Sequence, residues 1–76
     1  MKAIKKQNKN GTFRFELENG EVIIKSTKRN YNAFALTYLN GKIFNAGSTT
    51  KGGIIALSLA ESHGWKKEQV FIAKVV

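Results

Sequence analysis

At Asn19–Gly20 and again at Asn40–Gly41, an Asn-Gly pair stands between two runs of strand-forming residues. Before the first pair, "TFRFELE" alternates strictly, with Phe13, Phe15 and Leu17 on one face and Arg14, Glu16 and Glu18 on the other; "EVIIKSTKR" follows it. Alternation with a period of two marks a half-buried strand. Asn-Gly supplies the two positive-φ residues of a type I′ turn, so each pair predicts a hairpin with a two-residue loop. That loop places Leu17 opposite Val22, Phe15 opposite Ile24 and Phe13 opposite Ser26. Around Asn40–Gly41, "AFALTYL" and "KIFNAG" repeat the device, with Tyr38 opposite Ile43 and Thr37 opposite Phe44. Both faces of this second hairpin are apolar, as expected of a central or covered strand. Its small-residue face, with Ala33, Ala35 and Ala46, suits close approach by a helix, although the pattern leaves open which face the helix covers.

That helix is expected over residues 50–63. Ile55, Ala56, Leu59, Ala60 and His63 recur on one stripe. Gly64 suits the residue after the C-cap, with Trp65 folding back on Ala60. At the other end, Ser48, Thr49 or Thr50 would cap the first turn, and Gly52 and Gly53 would let the helix approach the sheet. "QVFIAKVV" closes the chain as a strand. The expected fold is α+β: an antiparallel sheet of two Asn-Gly hairpins plus a C-terminal strand, packed on one helix in the order ββββαβ. Residues 1–76 form one domain, of which 1–11 are a basic, flexible N-terminal segment.

Composition limits the chemistry. With no cysteine and a single histidine, neither a disulfide nor a structural zinc site is expected, and no metal or cofactor is assigned. Serines are present without a base at triad spacing, so the chain reads as non-enzymatic. No stretch approaches the ~20 apolar residues of a membrane span. The basic N-terminus is followed by no apolar run, unlike a secretory signal. The expected location is cytoplasmic, without membrane association.

The net charge is +8. Lys2, Lys5, Lys6 and Lys9 crowd the start, and from Val22 to Ala60 there is no acidic residue, while Lys25, Lys28, Arg29, Lys42 and Lys51 fall in that span. Such a field attracts polyanions: nucleic acid, a nucleoprotein complex or an acidic protein surface. Four places could carry the contact. Arg14, Lys25 and Arg29 project from the solvent face of the first hairpin. "TKRNYN" combines Lys28 and Arg29 with Tyr31, the ingredients of backbone contact plus base stacking; packing of Tyr31 on the sheet edge is the equal alternative. "GSTTKGG" could hold an anion at the helix N-terminus through Ser48, Thr49, Thr50 and Lys51. Ile54 and Leu57 lie off the helix stripe, as a protein interface or homodimer face would.

A basic chain with an early hairpin, a "NYNAFALTYLNGK" strand pair, a Ser/Thr-capped helix ending in "HGW" and a final strand resembles small accessory proteins of phages and mobile elements. Anti-CRISPR inhibitors are among them. The likeness covers the architecture from Thr12 to Val76 and carries over no individual residue. It implies a non-catalytic protein that acts by binding. Many anti-CRISPR proteins are acidic mimics of DNA; this chain departs from them in being basic, which leaves tethering to nucleic acid or blocking of a protein face. The expected function is therefore a small phage-like binding protein that engages nucleic acid or a nucleoprotein complex. The alternative is a protein–protein inhibitor of a host defence complex, blocking an acidic or nucleic-acid-binding surface.

Overall fold

A computed structural model describes all residues, Met1–Val76. The chain runs β1 (Lys2–Gln7), β2 (Phe13–Leu17), β3 (Val22–Thr27), β4 (Ala33–Leu39), β5 (Lys42–Thr49), α1 (Gly53–Ser62), a 3₁₀ turn (Lys67–Gln69) and β6 (Phe71–Val75). The class is α+β, but the sheet has six strands rather than five, in the order β3-β2-β1-β6-β4-β5. It is mixed, because β1 runs parallel to β6 while all other neighbours are antiparallel. The basic start of the chain, expected to lie outside the sheet, supplies β1, one of its two middle strands.

The two Asn-Gly turns differ. Asn40 (φ +54) and Gly41 (φ +78) form the expected two-residue loop, with Leu39 opposite Lys42. At the first turn only Gly20 has positive φ. The Gly20 N–H donates to the Leu17 carbonyl and the Leu17 N–H to the Glu21 carbonyl, closing a three-residue loop, Glu18–Gly20. The Asn19 side-chain oxygen accepts from the Glu21 N–H at 3.0 Å, a local bond typical of Asn in turns. Phe15 still faces Ile24, but Glu16, not Leu17, opposes Val22, and Phe13 opposes Thr27 instead of Ser26. Two irregularities in β3 account for the shifts. Extra residues of this kind bend a strand and increase its twist, and edge strands β3 and β5 come within 8 Å of one another.

This coiling creates an inner core with no helix. Phe15, Phe34 and Leu36 are fully buried there with Ala3, Leu17 and Ala73. Burial of a large apolar side chain contributes about 1.5–3 kcal/mol. Phe15 and Phe34 meet edge-on at 5.1 Å, and Tyr31 packs against both, at 5.9 and 5.7 Å.

On the outer face α1 packs against β4, β5 and β6. The small-residue face is the one the helix covers: Ala33, Ala35 and Ala46 meet Ala56 and Ala60. Ala46 is an extra residue in β5, since Ala35 opposes Gly47 and Leu36 opposes Asn45. The Asn45 side chain closes the bulge by accepting from the Gly47 N–H. At Gly47 the helix touches the sheet: a Cβ there would lie 2.9 Å from the Ala56 carbonyl oxygen and 3.2 Å from the Ala60 nitrogen. Close approach thus depends on Gly47 in the strand and, of the two glycines expected to allow it, on Gly53, where a Cβ would lie 3.0 Å from the Ile72 side chain, whereas Gly52 faces open space. The helix ends as expected. Gly64 (φ +96) donates to the Glu61 carbonyl and Trp65 to that of Ala60, the paired bonds of a Schellman motif. Trp65 then packs on the helix-side core and on Phe44.

Candidate nucleic-acid interface

Strand pairing gathers the lysines of the chain start beside those of β3. β1 and β2 are joined by a tip at residues 8–12. There the Asn8 amide donates to the Thr12 hydroxyl (3.0 Å) and to the Lys25 carbonyl of β3 (3.1 Å). Ser26 donates to the same Thr12 hydroxyl at 2.7 Å. The result is a pole where the tip that carries Lys9 is bonded to the backbone of Lys25, and where Lys28 and Arg29 follow directly from the Phe13–Thr27 pair. Lys5 joins it from β1, with its ammonium 5.0 Å above the Phe13 ring and 2.9 Å from the Asn30 oxygen.

Glu16 is the one acid on this part of the sheet. Its carboxylate takes Arg14 on one oxygen and Lys6 at 3.1 Å on the other. The Arg14 hydrogen bond, followed by that from Lys6, holds its pKa below the ordinary carboxylate value. Arg14 also donates to the Asn8 side chain at 2.8 Å. Arg14 is therefore a brace of the pole, already partnered. Lys9, Lys25, Lys28 and Arg29 are exposed, and none is in a salt bridge.

Tyr31 does not join the basic side chains as a stacking platform; its ring belongs to the Phe15–Phe34 cluster. The exposed aromatics are Tyr38, 59% accessible, and Phe44, 45% accessible. Both lie near the Asn40–Gly41 turn, at the far end of the sheet from the pole. Positive charge and exposed aromatic rings are thus separated, and sequence reading did not single out Tyr38, Phe44 or Lys5. Lys5 was findable only through the Lys5–Phe15 register, which requires β1.

"GSTTKGG" is not a cap. The N-cap is Gly52, with no side-chain bond to the first turn. Ser48 and Thr49 end β5. The Thr49 hydroxyl is used by the Lys51 N–H (3.0 Å), and the Thr50 carbonyl accepts from Asn32. The hydroxyls therefore do not converge with Lys51 on the helix N-terminus. Ile54 and Leu57, by contrast, share a site. With Gly52, Gly53, Ile72 and Lys74 they line an open groove of about 400 Å³ between α1 and β6.

No helix is long and apolar enough to cross a membrane. Comparison with protein-family models, with curated proteins and with solved structures gives no match.

Proposed function

We propose that this protein is a small, non-catalytic, phage-like module that binds nucleic acid through the basic pole of β1–β3. The observation that carries the reading is the placement of Lys9, Lys25, Lys28 and Arg29, exposed and in no salt bridge, at one end of the sheet around a hydrogen-bonded polar tip. Their partner would be the phosphate backbone, which fixes position without reading sequence. The distance of Tyr38 and Phe44 from the pole supports binding by charge and shape, with little contribution from base stacking.

Counterion release makes the proposal quantitative. Four phosphate contacts at about −0.9 each give a slope of about −3.6 for log K against log salt on duplex DNA. Affinity should fall roughly 100-fold between about 50 and 200 mM salt. Fluorescence anisotropy with a labelled duplex measures this directly. The double substitution Lys28→Ala, Arg29→Ala should make the slope shallower by about two units. Absence of binding at ~50 mM salt, or a slope unmoved by the double substitution, refutes the assignment.

A further inference from the structure

The groove beside α1 carries a second inference, independent of the nucleic-acid reading. Six strands at about 4.8 Å spacing span roughly 24 Å, whereas one helix with its side chains is about 10–12 Å wide. A single helix covers about half of such a sheet, and α1 lies over β4, β5 and β6. The outer face of β1 and β2 has no helix. Ala3 is buried in the inner core, so alternation along β1 turns Lys2, Ile4 and Lys6 outward. Register places Lys74 beside Lys2 and Glu16 beside Ile4 on that face.

Where the bare face meets α1 lies the groove. Ile54 is 81% accessible, an unusual exposure for isoleucine, and it faces the groove with Leu57 and Ile72. The charges are distributed unevenly around this apolar floor. At the upper end stand Lys74, its register partner Lys2, and Lys51, which precedes the groove-lining Gly52. The nearest acid there, Glu18, is bound by the Lys2 N–H at 3.0 Å. On β1–β2 the carboxylate of Glu16 is occupied by Lys6 and Arg14. At the lower end Glu61 follows Leu57 by one helical turn.

We propose that this groove docks an acidic amphipathic helix of a partner protein, laid alongside α1 as the missing second helix of the outer layer. Apolar side chains at i, i+3, i+4 and i+7 of the partner would enter the groove. Its carboxylates would face Lys2, Lys51 and Lys74, with the end of the partner nearest Glu61 free of acid; charge thus sets the direction of docking as well as the choice of partner. A nucleic-acid backbone has no apolar face to match Ile54, Leu57 and Ile72. A second copy, even laid antiparallel, would offer only Glu61 to Lys2, Lys51 and Lys74, on a chain of net charge +8.

The test uses the full chain and a synthetic amphipathic peptide with leucines at i, i+3, i+4 and i+7 and glutamates on both flanks. Amide shifts in ¹H–¹⁵N spectra should change at Ile54–Leu57 and Ile72–Lys74. Ile54→Ser, at a position too exposed to matter for folding, should weaken the peptide about tenfold. Lys74→Gln should weaken it several-fold, while duplex-DNA affinity is unchanged by Ile54→Ser. The proposal is overturned if a lysine-flanked peptide binds equally well, if the shifts fall at Lys28 and Arg29, or if duplex DNA displaces the peptide. A dimer in sedimentation that Ile54→Ser dissolves would assign the face to a second copy and overturn it too.

Discussion

Gly47→Ala tests the packing that places α1 and therefore the groove. A methyl group at this position would lie 2.9 Å from the Ala56 carbonyl oxygen, 3.1 Å from Leu59 Cβ and 3.2 Å from the Ala60 nitrogen. Two of these obstacles are helix backbone, so no rotamer change relieves them; α1 must shift away from β5 or the bulge at Ala46 must deform. Overpacking of this kind costs typically 1–3 kcal/mol, and backbone obstacles place Gly47→Ala in the upper part, about 2–3 kcal/mol. Alanine restricts the unfolded chain relative to glycine, which returns about 0.4–1 kcal/mol. The net loss is roughly 1–2.6 kcal/mol, a fall in Tm of roughly 4–21 °C for a domain of this size. Thermal melting followed by far-UV circular dichroism reads the shift. Gly52→Ala, where nothing lies within 4 Å of a Cβ, serves as the control and should cost far less. A Gly47→Ala protein melting at or above the parent temperature would refute the close-contact account of the helix–sheet interface.

Further outcomes follow from Glu16 and Asn40. Glu16→Gln removes the acid that occupies Lys6 and Arg14, so duplex-DNA affinity at low salt should rise several-fold in anisotropy titrations, with a steeper salt slope. Because the folded carboxyl is held below its ordinary value by Arg14 and then Lys6, its contribution to stability is present above the unfolded value near pH ~4.3 and is lost as pH falls through the lower folded value; acid melts of Glu16→Gln should lack that component. Asn40→Val puts a β-branched residue at positive φ and should cost about 1–2 kcal/mol in denaturant unfolding, clearly more than Asn19→Val, where φ is not positive. Equal costs would mean that the two turns share one geometry.

Much of the fold is written locally. The strict alternation of Phe13–Leu17, the positive-φ pair Asn40–Gly41 and the Gly64–Trp65 helix end each act over a few residues, and all appear in the structure. What escaped sequence reading depends on partners far away in the chain. In "KAIKKQ" only Ala3 and Ile4 are apolar, so β1 has no hydrophobic rhythm. It is a strand because Ala3 fits beneath Leu17 and Val75 and because Lys5 can cover Phe13. Asn-Gly is compatible with both a two-residue loop and the longer loop seen at Glu18–Gly20, and the sequence does not distinguish them. For the site, Lys25, Lys28 and Arg29 were legible as charge. For Tyr31, base stacking and packing on the sheet were equal readings, since polar neighbours do not decide which way the ring turns; its contacts with Phe15 and Phe34 decide for packing. Ile54 and Leu57 were legible as residues off the helix stripe, but Lys74 and Ile72, across the groove from them, come from β6, beyond the helix end and the 3₁₀ turn.

The parallel pairing of β1 with β6 also governs how the chain is made. Residues 2–7 and 71–75 occupy the middle of the sheet, so the first strand synthesised waits for the last. At about 5–20 residues per second, translation leaves two half-sheets, β1–β3 and β4–β5, unjoined for seconds. Throughout that interval β1 and β4 each present an open edge, and Phe15 and Phe34 have no common interior in which to meet. Joining them is a contact between distant parts of the chain, the slow kind in folding, so a nascent chain stalled before residue 71 would expose both phenylalanines and two strand edges to whatever surrounds it.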